Sequence, residues 1–204
     1  MKNNQPFVAG ITGGIGSGKT TAAKFFEELG VPVYNSDTRA KIIQNENPEV
    51  KVKIIATFGN EAYDENGMNR PFIAQQVFQN KEKLMQLNAI VHPAVFHDFE
   101  EWKKQQTSNI IMKEAAILIE SGSYKDCNVV ISVLVDLEKR IARTIERDGF
   151  TREQVLERIN KQISDEERIA KSDFVIDNNG DLGHLKNEVE QTLFKIKKLI
   201  SSQS

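Results

Sequence analysis

The stretch from Gly13 to Thr20, which reads GGIGSGKT, constrains this chain more than any other. It fits the pattern G-x-x-x-x-G-K-[ST], and it lies between a short apolar run (7–12) and a segment of helical composition that Gly30 ends. A strand, a glycine-rich loop and a helix in that order are the setting in which this pattern binds phosphate. The alternative is a chance glycine-rich turn between a strand and a helix. Such a turn would not need the lysine and threonine of the full pattern, so the pattern favours a phosphate site. The sequence therefore predicts a nucleotide phosphate site.

The residue types of this phosphate-binding loop (P-loop) suit that chemistry. Glycines allow backbone angles that turn successive N–H groups inward around an anion, and the N-terminus of the next helix adds partial positive charge. Lys19 has the reach to bind the β- and γ-phosphates, and the hydroxyl of Thr20 is suited to ligate Mg²⁺. We therefore expect a nucleotide and Mg²⁺ as ligands.

Composition narrows the class of protein. A length of 204 residues suits one α/β domain with a small inserted substructure. The formal charge of −2 argues against a general nucleic-acid or membrane-surface binder. Cys127 is the only cysteine, the first residues are polar, and no apolar run reaches the length of about 18 residues that a membrane span needs. We expect a soluble cytoplasmic enzyme, and the sequence does not indicate its oligomeric state.

Further strands are predicted by the apolar runs at 31–34, 109–119, 129–135 and 174–177. The first of these runs leads into Asn35, Ser36 and Asp37, and open α/β sheets place functional groups at such strand ends. Asp37 is thus a candidate site residue, with a helix N-cap or an ordinary surface aspartate as alternatives. Glu120 follows the second run, and either faces the site or is a solvated carboxylate.

Residues 48–105 have a helical pattern that interrupts the alternation of strands and helices. Asp64–Gly67 is predicted to be a turn, and His92–Pro93 interrupts the helical pattern. The stretch is interpreted as a helical insertion beside the sheet, suited to covering a substrate.

Arg140, Arg143 and Arg147 fall on one face of a predicted helix. They form either a solvated surface paired with nearby carboxylates or a clamp on transferring phosphates, and the P-loop favours the clamp. Thr151–Gln154 is a capping box that starts another helix, and Ser164 is a second candidate start.

Together, stretches in order along nearly the whole chain resemble the dephospho-CoA kinase family. They include the P-loop, Ser36–Asp37, Asn69–Arg70, Ile90–Val95 with its His92–Pro93, Leu118–Glu120, Arg143–Asp148, Arg158 with Gln162, and Ser172–Gly180. The resemblance implies an α/β three-layer P-loop fold with a five-stranded parallel sheet. It also implies a single kinase domain over 1–204, in which 48–105 is a helical CoA-side insertion and 136–152 is a lid.

The resemblance implies transfer of the ATP γ-phosphoryl group, with Mg²⁺, to the ribose 3′-hydroxyl of dephospho-CoA, the last step of coenzyme A biosynthesis. It implies that Asp37 receives the hydroxyl proton, that Arg143 and Arg147 are lid arginines at the nucleotide, and that Arg70 and His92 bind the acceptor. The implied nucleotide-binding residues are Gly16, Ser17, Gly18, Lys19, Thr20 and Thr21 of the P-loop with Asn178 and Gly180 near the adenine. Lys19, Asp37 and Arg143 are the implied catalytic residues, and Thr20 the implied metal ligand.

Two positions depart from the family pattern. The family usually has Asp-Ala-Asp where this chain has Asn35, Ser36 and Asp37, so the assignment of the base rests on Asp37 alone. The usual Pro-Leu-Leu-Phe-Glu is AILIE at 116–120, which softens a turn without removing chemistry.

Two rival functions remain at this point. One is a kinase that acts on a nucleoside or nucleoside monophosphate. The other is a regulatory GTPase, which requires a guanine-reading Asn-Lys-x-Asp, and both Asn-Lys pairs (80–83 and 160–163) lack the aspartate.

Overall fold

The computed structural model describes residues 5–78 and 80–202, and its contacts divide the chain into two units. The sheet unit consists of the chain up to Asn35 and from Gln106 onward. The helical unit is the continuous segment Ser36–Gln105, and the predicted insertion (48–105) lies within it.

Seven strands are numbered in chain order over the described residues, and five of them form one sheet. They are β1 (Phe7–Thr12), β2 (Val33–Asn35), β3 (Tyr63–Asp64), β4 (Gly67–Met68), β5 (Ile110–Glu114), β6 (Val129–Leu134) and β7 (Phe174–Asp177). The five-stranded sheet has the order β2-β5-β1-β6-β7 and all its pairs are parallel, which confirms the expected fold. Because Ile11 and Asn35 both lie opposite Glu114, the carboxyl ends of β1, β2 and β5 meet at one edge.

The helices follow the same numbering. They are α1 (Lys19–Glu28), α2 (Ser36–Glu46), α3 (Pro48–Phe58), α4 (Arg70–Phe78), α5 (Lys81–Lys104), α6 (Leu137–Asp148), α7 (Arg152–Asn160), α8 (Asp165–Ala170) and α9 (Leu182–Ser202), with 3₁₀ turns at Asn60–Ala62 and Ser123–Asp126. Both predicted N-caps are confirmed, since Thr151 and Ser164 each form a complete capping box. None of the described helices is both long and apolar enough to cross a membrane.

The core of the sheet unit lies between the strands and the helices α1 and α9. β1, β5 and β6 are buried over most of their length, and mostly apolar apart from the charged end of β5, because helices and loops cover a parallel sheet on both faces. Phe26 of α1 is fully buried in this cluster with Val189 and Ile196 of α9. This packing fixes the first residues of α1, and with them Lys19 and Thr20, relative to the strand ends.

The predicted strand at 109–119 was wrong in its second half, since β5 ends at Glu114. Most of the remaining apolar residues are buried in a turn, where Leu118 and Ile119 pack with Val130 of β6, while Ile117 is exposed. Their backbone forms turn hydrogen bonds, such as the one that Gly122 N donates to Ile119 O. An apolar run alone predicts burial, and it does not separate a strand from a buried turn.

The helical unit has its own core, in which Ile43, Ile54 and Val91 come from three different helices. β3 and β4 form a two-stranded hairpin, and Asp64 lies opposite Gly67. Asp64 Oδ1 accepts a hydrogen bond from Asn66 N at 2.7 Å, so the predicted turn at 64–67 is confirmed.

The predicted interruption at His92–Pro93 was wrong, because α5 continues through Pro93 from Lys81 to Lys104. Proline removes one N–H from a helix, which is a local loss. The apolar residues of α5 before and after Pro93 pack against the core of the helical unit, so tertiary packing outweighs that loss.

We predict that Phe26→Ala lowers the free energy of unfolding by about 3–5 kcal/mol, because it opens a cavity between α1 and the sheet. Urea unfolding followed by circular dichroism measures the change. Phe194→Ala on α9 is the matched control: this phenylalanine is 69% exposed, and its loss is expected to cost less than about 0.5 kcal/mol. Equal effects of the two substitutions would contradict the described core.

Candidate active site

The P-loop follows β1 and closes on the N-terminus of α1. Gly18 has φ 87° and ψ 17°, a left-handed conformation that favours glycine, and it is the N-cap of α1. A Cβ on Gly18 would lie 2.2 Å from Nδ2 of Asn178. The position therefore requires glycine for its backbone angle and for the close approach of a neighbouring side chain.

Asn178, which the resemblance places near the adenine, holds the P-loop in this structure. It is 5% exposed, and its Nδ2 donates a 2.7 Å hydrogen bond to the carbonyl of Ser17. Its own carbonyl accepts a 3.3 Å hydrogen bond from Nη2 of Arg143. Asn178 thus joins the end of β7, the P-loop and α6. It contacts Ser17 and Arg143, which are both predicted nucleotide-binding residues.

A buried carboxylate lies beside the P-loop lysine. Glu114, at the carboxyl end of β5, is 2% exposed, and its Oε1 is 3.1 Å from Nζ of Lys19. The same oxygen accepts a 2.5 Å hydrogen bond from the Thr20 hydroxyl. Its other oxygen accepts a 2.6 Å hydrogen bond from Nδ2 of Asn35. Because a buried carboxylate is costly unless it is paired, these three donors explain why Glu114 is tolerated there.

Glu114 is the site residue that the sequence analysis missed. The signal was available, because Glu114 is a charged residue that ends an apolar run, and the strand-end rule selected Asp37 on the same grounds. Because the strand was predicted to continue to residue 119, the same rule selected Glu120 as the candidate at its end. In the structure Glu120 lies 4.0 Å from the guanidinium of Arg168.

The cluster of Lys19, Thr20, Asn35 and Glu114 contains oxygen atoms of the kind that ligate a nucleotide-bound cation. Hydroxyl and carboxylate oxygens are the hard ligands that Mg²⁺ prefers, usually together with water and phosphate oxygens. Thr20 and Glu114 supply one of each. Lys19 supplies a positive charge next to them. These residues fit a Mg²⁺ ion held jointly with a nucleotide.

The three arginines of α6 have different surroundings. Arg143 contacts Asn178, as described above. Arg147 forms a 2.8 Å ion pair with Asp148, and this hydrogen-bonded partner raises the pKa of Arg147 and lowers that of Asp148. Arg140 is 5% exposed, and its Nε donates to the carbonyl of Ile15 at 3.1 Å. Arg140 therefore belongs neither to a solvated surface nor to an open phosphate clamp.

Three of the remaining predicted residues, Asp37, Arg70 and His92, belong to the helical unit, and Gly180 belongs to the sheet unit. Asp37 lies in the first turn of α2, immediately after β2 and Ser36. Arg70 begins α4, and its Nη1 donates a 3.4 Å hydrogen bond to Oε1 of Gln44. His92 is half-buried in α5, and burial lowers its pKa, which favours the neutral imidazole. In the sheet unit, Gly180 packs closely against His184.

The chain is similar to known proteins over most of its length. The family model described as CoaE, dephospho-CoA kinase, matches residues 7–184. A dephospho-CoA kinase from Fusobacterium nucleatum is 43% identical over 185 residues, which cover 90% of this chain and 95% of that protein. A crystal structure from Thermus thermophilus has a TM-score of 0.83 and 32% identity, covering 94% of this chain and 98% of the other. A dephospho-CoA kinase structure from Campylobacter jejuni has a TM-score of 0.67 and 26% identity, covering 94% and 97%.

We predict that Asn35→Asp lowers the free energy of unfolding by about 1–3 kcal/mol at neutral pH in the absence of Mg²⁺. The substitution replaces the amide donor with a second carboxylate against Oε2 of Glu114. Because one of two facing carboxylates takes up a proton as the pH falls, the loss is expected to shrink at mildly acidic pH. Urea unfolding across this pH range measures it.

Asn35→Ala is the control for this prediction, because it removes the same hydrogen bond without adding charge. Its cost is expected to vary much less with pH than the cost of Asn35→Asp, because it removes one donor to the carboxylate and introduces no second charge. A parallel pH dependence of the two variants would show that Asn35 and Glu114 are not paired in solution.

Proposed function

The chain belongs to the dephospho-CoA kinase family, whose members phosphorylate dephospho-CoA with ATP, and we propose that it does so with the Lys19–Glu114 cluster at the ATP phosphates. The observation that supports this most directly is the placement of Lys19 and Thr20 at one buried carboxylate. That carboxylate lies where the strand ends of a parallel sheet bind ligands. The acceptor is the ribose 3′-hydroxyl of dephospho-CoA, and the product is coenzyme A.

The nucleotide side of the mechanism follows from charge and alignment. The N-terminus of α1 and the backbone N–H groups of residues 16–21, apart from the Ser17 N–H that is bonded to the Gly14 carbonyl, surround the phosphates. Lys19 leaves part of its interaction with Glu114 and binds the γ-phosphoryl oxygens, whose negative charge exceeds that of one carboxylate. Because the transition state for phosphoryl transfer is loose, this positioning and charge stabilisation supply most of the rate enhancement.

Thr20 and Glu114 are the residues that would hold Mg²⁺, Thr20 through its hydroxyl and Glu114 through its carboxylate. When bound, the ion neutralises charge on the β- and γ-phosphates. Asn35 keeps Glu114 oriented through its hydrogen bond to Oε2. The amide at position 35 adds no second negative charge, which distinguishes this chain from the Asp-Ala-Asp pattern of its family.

Arg143 and Arg147 are the proposed lid arginines, in the segment 136–152. Arg143 is the better placed of the two, because its hydrogen bond to the Asn178 carbonyl ties it to the residue that holds the P-loop. Arg147 has to exchange Asp148 for a phosphate oxygen. Such lid cations stabilise the developing charge and exclude water that would hydrolyse ATP.

The acceptor side is assigned by family position. Asp37 receives the proton of the 3′-hydroxyl, and Arg70 and His92 bind dephospho-CoA. The half-buried, neutral imidazole of His92 suits it to hydrogen bonding and not to pairing with phosphate. We place the reaction in the cytoplasm, consistent with a chain that has a single cysteine, and the charge of −2 does not favour nucleic acid as a partner.

ADP release from Mg-ATP tests the function, with dephospho-CoA, AMP and adenosine compared as acceptors. Strong stimulation by dephospho-CoA alone is expected, with the product phosphorylated at the 3′ position. Lys19→Ala is expected to lose most of the turnover, at least about 100-fold, because it removes the cation that binds the γ-phosphoryl oxygens. Stimulation by AMP or adenosine instead would reject the proposed acceptor, and acceptor-independent hydrolysis would reject the kinase.

We predict that Asp37→Asn lowers kcat by about 100-fold or more while the dissociation constants of both substrates change little. An amide keeps the shape of the side chain and cannot take up the hydroxyl proton. Single-turnover kinetics, under conditions where chemistry limits the rate, separate this loss from product release. Wild-type turnover of the variant under those conditions would refute Asp37 as the base.

A further inference from the structure

The crest of the P-loop is held by side chains from the far end of the sequence. Ile15 N donates a 2.9 Å hydrogen bond to Oε1 of Gln162, and Ile15 O accepts a 3.1 Å hydrogen bond from Nε of Arg140. Both polar groups of one backbone residue thus have side-chain partners. Arg140 lies in the first turns of α6, and Gln162 follows the end of α7. The two ends of the α6–α7 segment therefore meet at Ile15.

A second layer of contacts fixes Arg140. Its Nη1 is 3.1 Å from Oδ2 of Asp165, and its Nη2 donates to Gln162 at 3.4 Å. Asp165 also accepts a 2.5 Å hydrogen bond from Arg168, which is fully buried. Burial lowers the pKa of the Arg140 guanidinium and Asp165 opposes that shift, while Arg168 adds to it. Arg140 remains a cation at neutral pH because an arginine titrates far above it.

The P-loop glycines fit closely around this arginine. A Cβ on Gly14 would lie 2.2 Å from Nη2 of Arg140. A Cβ on Gly16, where φ is 76°, would lie 2.4 Å from the carbonyl oxygen of Arg140. The loop crest and the start of α6 are thus in direct contact, on both the side-chain and the backbone side of Arg140.

Because the peptide bond is planar, these contacts also determine the direction in which an N–H group of the loop points. The carbonyl of Ile15 and the N–H of Gly16 belong to one planar trans peptide, so they point in opposite directions. Arg140 therefore sets the direction of the Gly16 N–H when it binds the Ile15 carbonyl. In the same way Gln162 sets the preceding peptide, whose carbonyl on Gly14 accepts a 3.0 Å hydrogen bond from Ser17 N. Because glycine flanks these peptides, few steric barriers otherwise prevent them from flipping.

We propose that Arg140 and Gln162 are positioning residues for ATP, which hold the two peptides at Ile15 so that the Gly16 N–H faces the phosphates. The inference rests on the proposed function in that the ligand is ATP. Neither residue touches the nucleotide in this proposal, and both act through the backbone of the loop. The free-energy cost of ordering the loop is then met when the protein folds, and it does not reduce the affinity for ATP.

Direct nucleotide binding tests the proposal, with a fluorescent ATP analogue titrated in the absence of an acceptor. Gln162→Met keeps the size of the side chain and removes the acceptor for Ile15 N, and Gln162→Glu keeps an oxygen at that position. The dissociation constant is expected to rise about tenfold for Gln162→Met and to stay within about threefold of wild type for Gln162→Glu. Arg140→Lys keeps the charge and loses the fork that joins Ile15 and Asp165, and it is expected to weaken binding at least tenfold.

Steady-state kinetics supply the readout that a general loss of stability would not produce. The KM for ATP is expected to rise in Gln162→Met and Arg140→Lys, while the KM for dephospho-CoA stays within about twofold. Lys161→Met is the matched control: it makes the same kind of replacement at the neighbouring residue, whose ion pair with Glu157 is exposed. It is expected to leave nucleotide affinity unchanged within about twofold.

Three outcomes would overturn the proposal: unchanged nucleotide affinity in a folded Gln162→Met, an equal loss in Gln162→Met and Gln162→Glu, or equal increases in both KM values. If Arg140→Lys does not fold, the Gln162 pair decides the question. Failure of the wild-type protein to phosphorylate dephospho-CoA would reject the proposed function and leave the nucleotide-binding comparison valid, because that comparison contains no acceptor.

Discussion

A loop that binds phosphate through its backbone N–H groups needs other contacts, such as side chains bound to its carbonyls, to hold its shape. This requirement explains much of the sheet unit. β1 and α1 fix the two ends of the loop through a shared core around Phe26. Asn178 holds the Ser17 carbonyl, and Arg140 holds the Ile15 carbonyl, so two remote segments bind carbonyls on the outside of the loop. With the carbonyls engaged, the N–H groups of the same peptides are left to point the other way.

Positive charges of the site are paired with carboxylates in the same unit. A phosphate site needs cations, and cations without partners destabilise a compact structure in the absence of ligand. Glu114 offsets Lys19 while it also receives hydrogen bonds from Thr20 and Asn35. Asp165 does the same for Arg140 and Arg168. Each of these two carboxylates, the buried Glu114 and the partly buried Asp165, accepts from several donors at once, so the site is stable before ATP is present and remains available to it.

Sequence reasoning succeeded where function depends on neighbours in the chain. The P-loop, the capping boxes at Thr151 and Ser164, and the strand β6 are local patterns, and all of them could be predicted. Glu114 was missed because an apolar run does not reveal where a strand ends. The position of Arg140 could not be predicted, since its neighbours Ile15 and Asp165 lie far apart in sequence and only the fold brings them together. Pro93 shows the converse, a local rule that tertiary packing overrides.

The boundary between the two units lies between Asn35 and Ser36, and the chain re-enters the sheet unit at Gln106. The proposed acceptor-side residues Asp37, Arg70 and His92 therefore all lie on one uninterrupted segment, whereas the proposed ATP-side residues lie before and after it. A single exchange of genetic material between those two points replaces the whole acceptor side and leaves the phosphate-holding loop, with its remote supports, untouched. Under the proposed assignment, the acceptor-binding residues lie on one continuous segment that recombination can replace as a whole, which is a route by which a kinase fold acquires new acceptors.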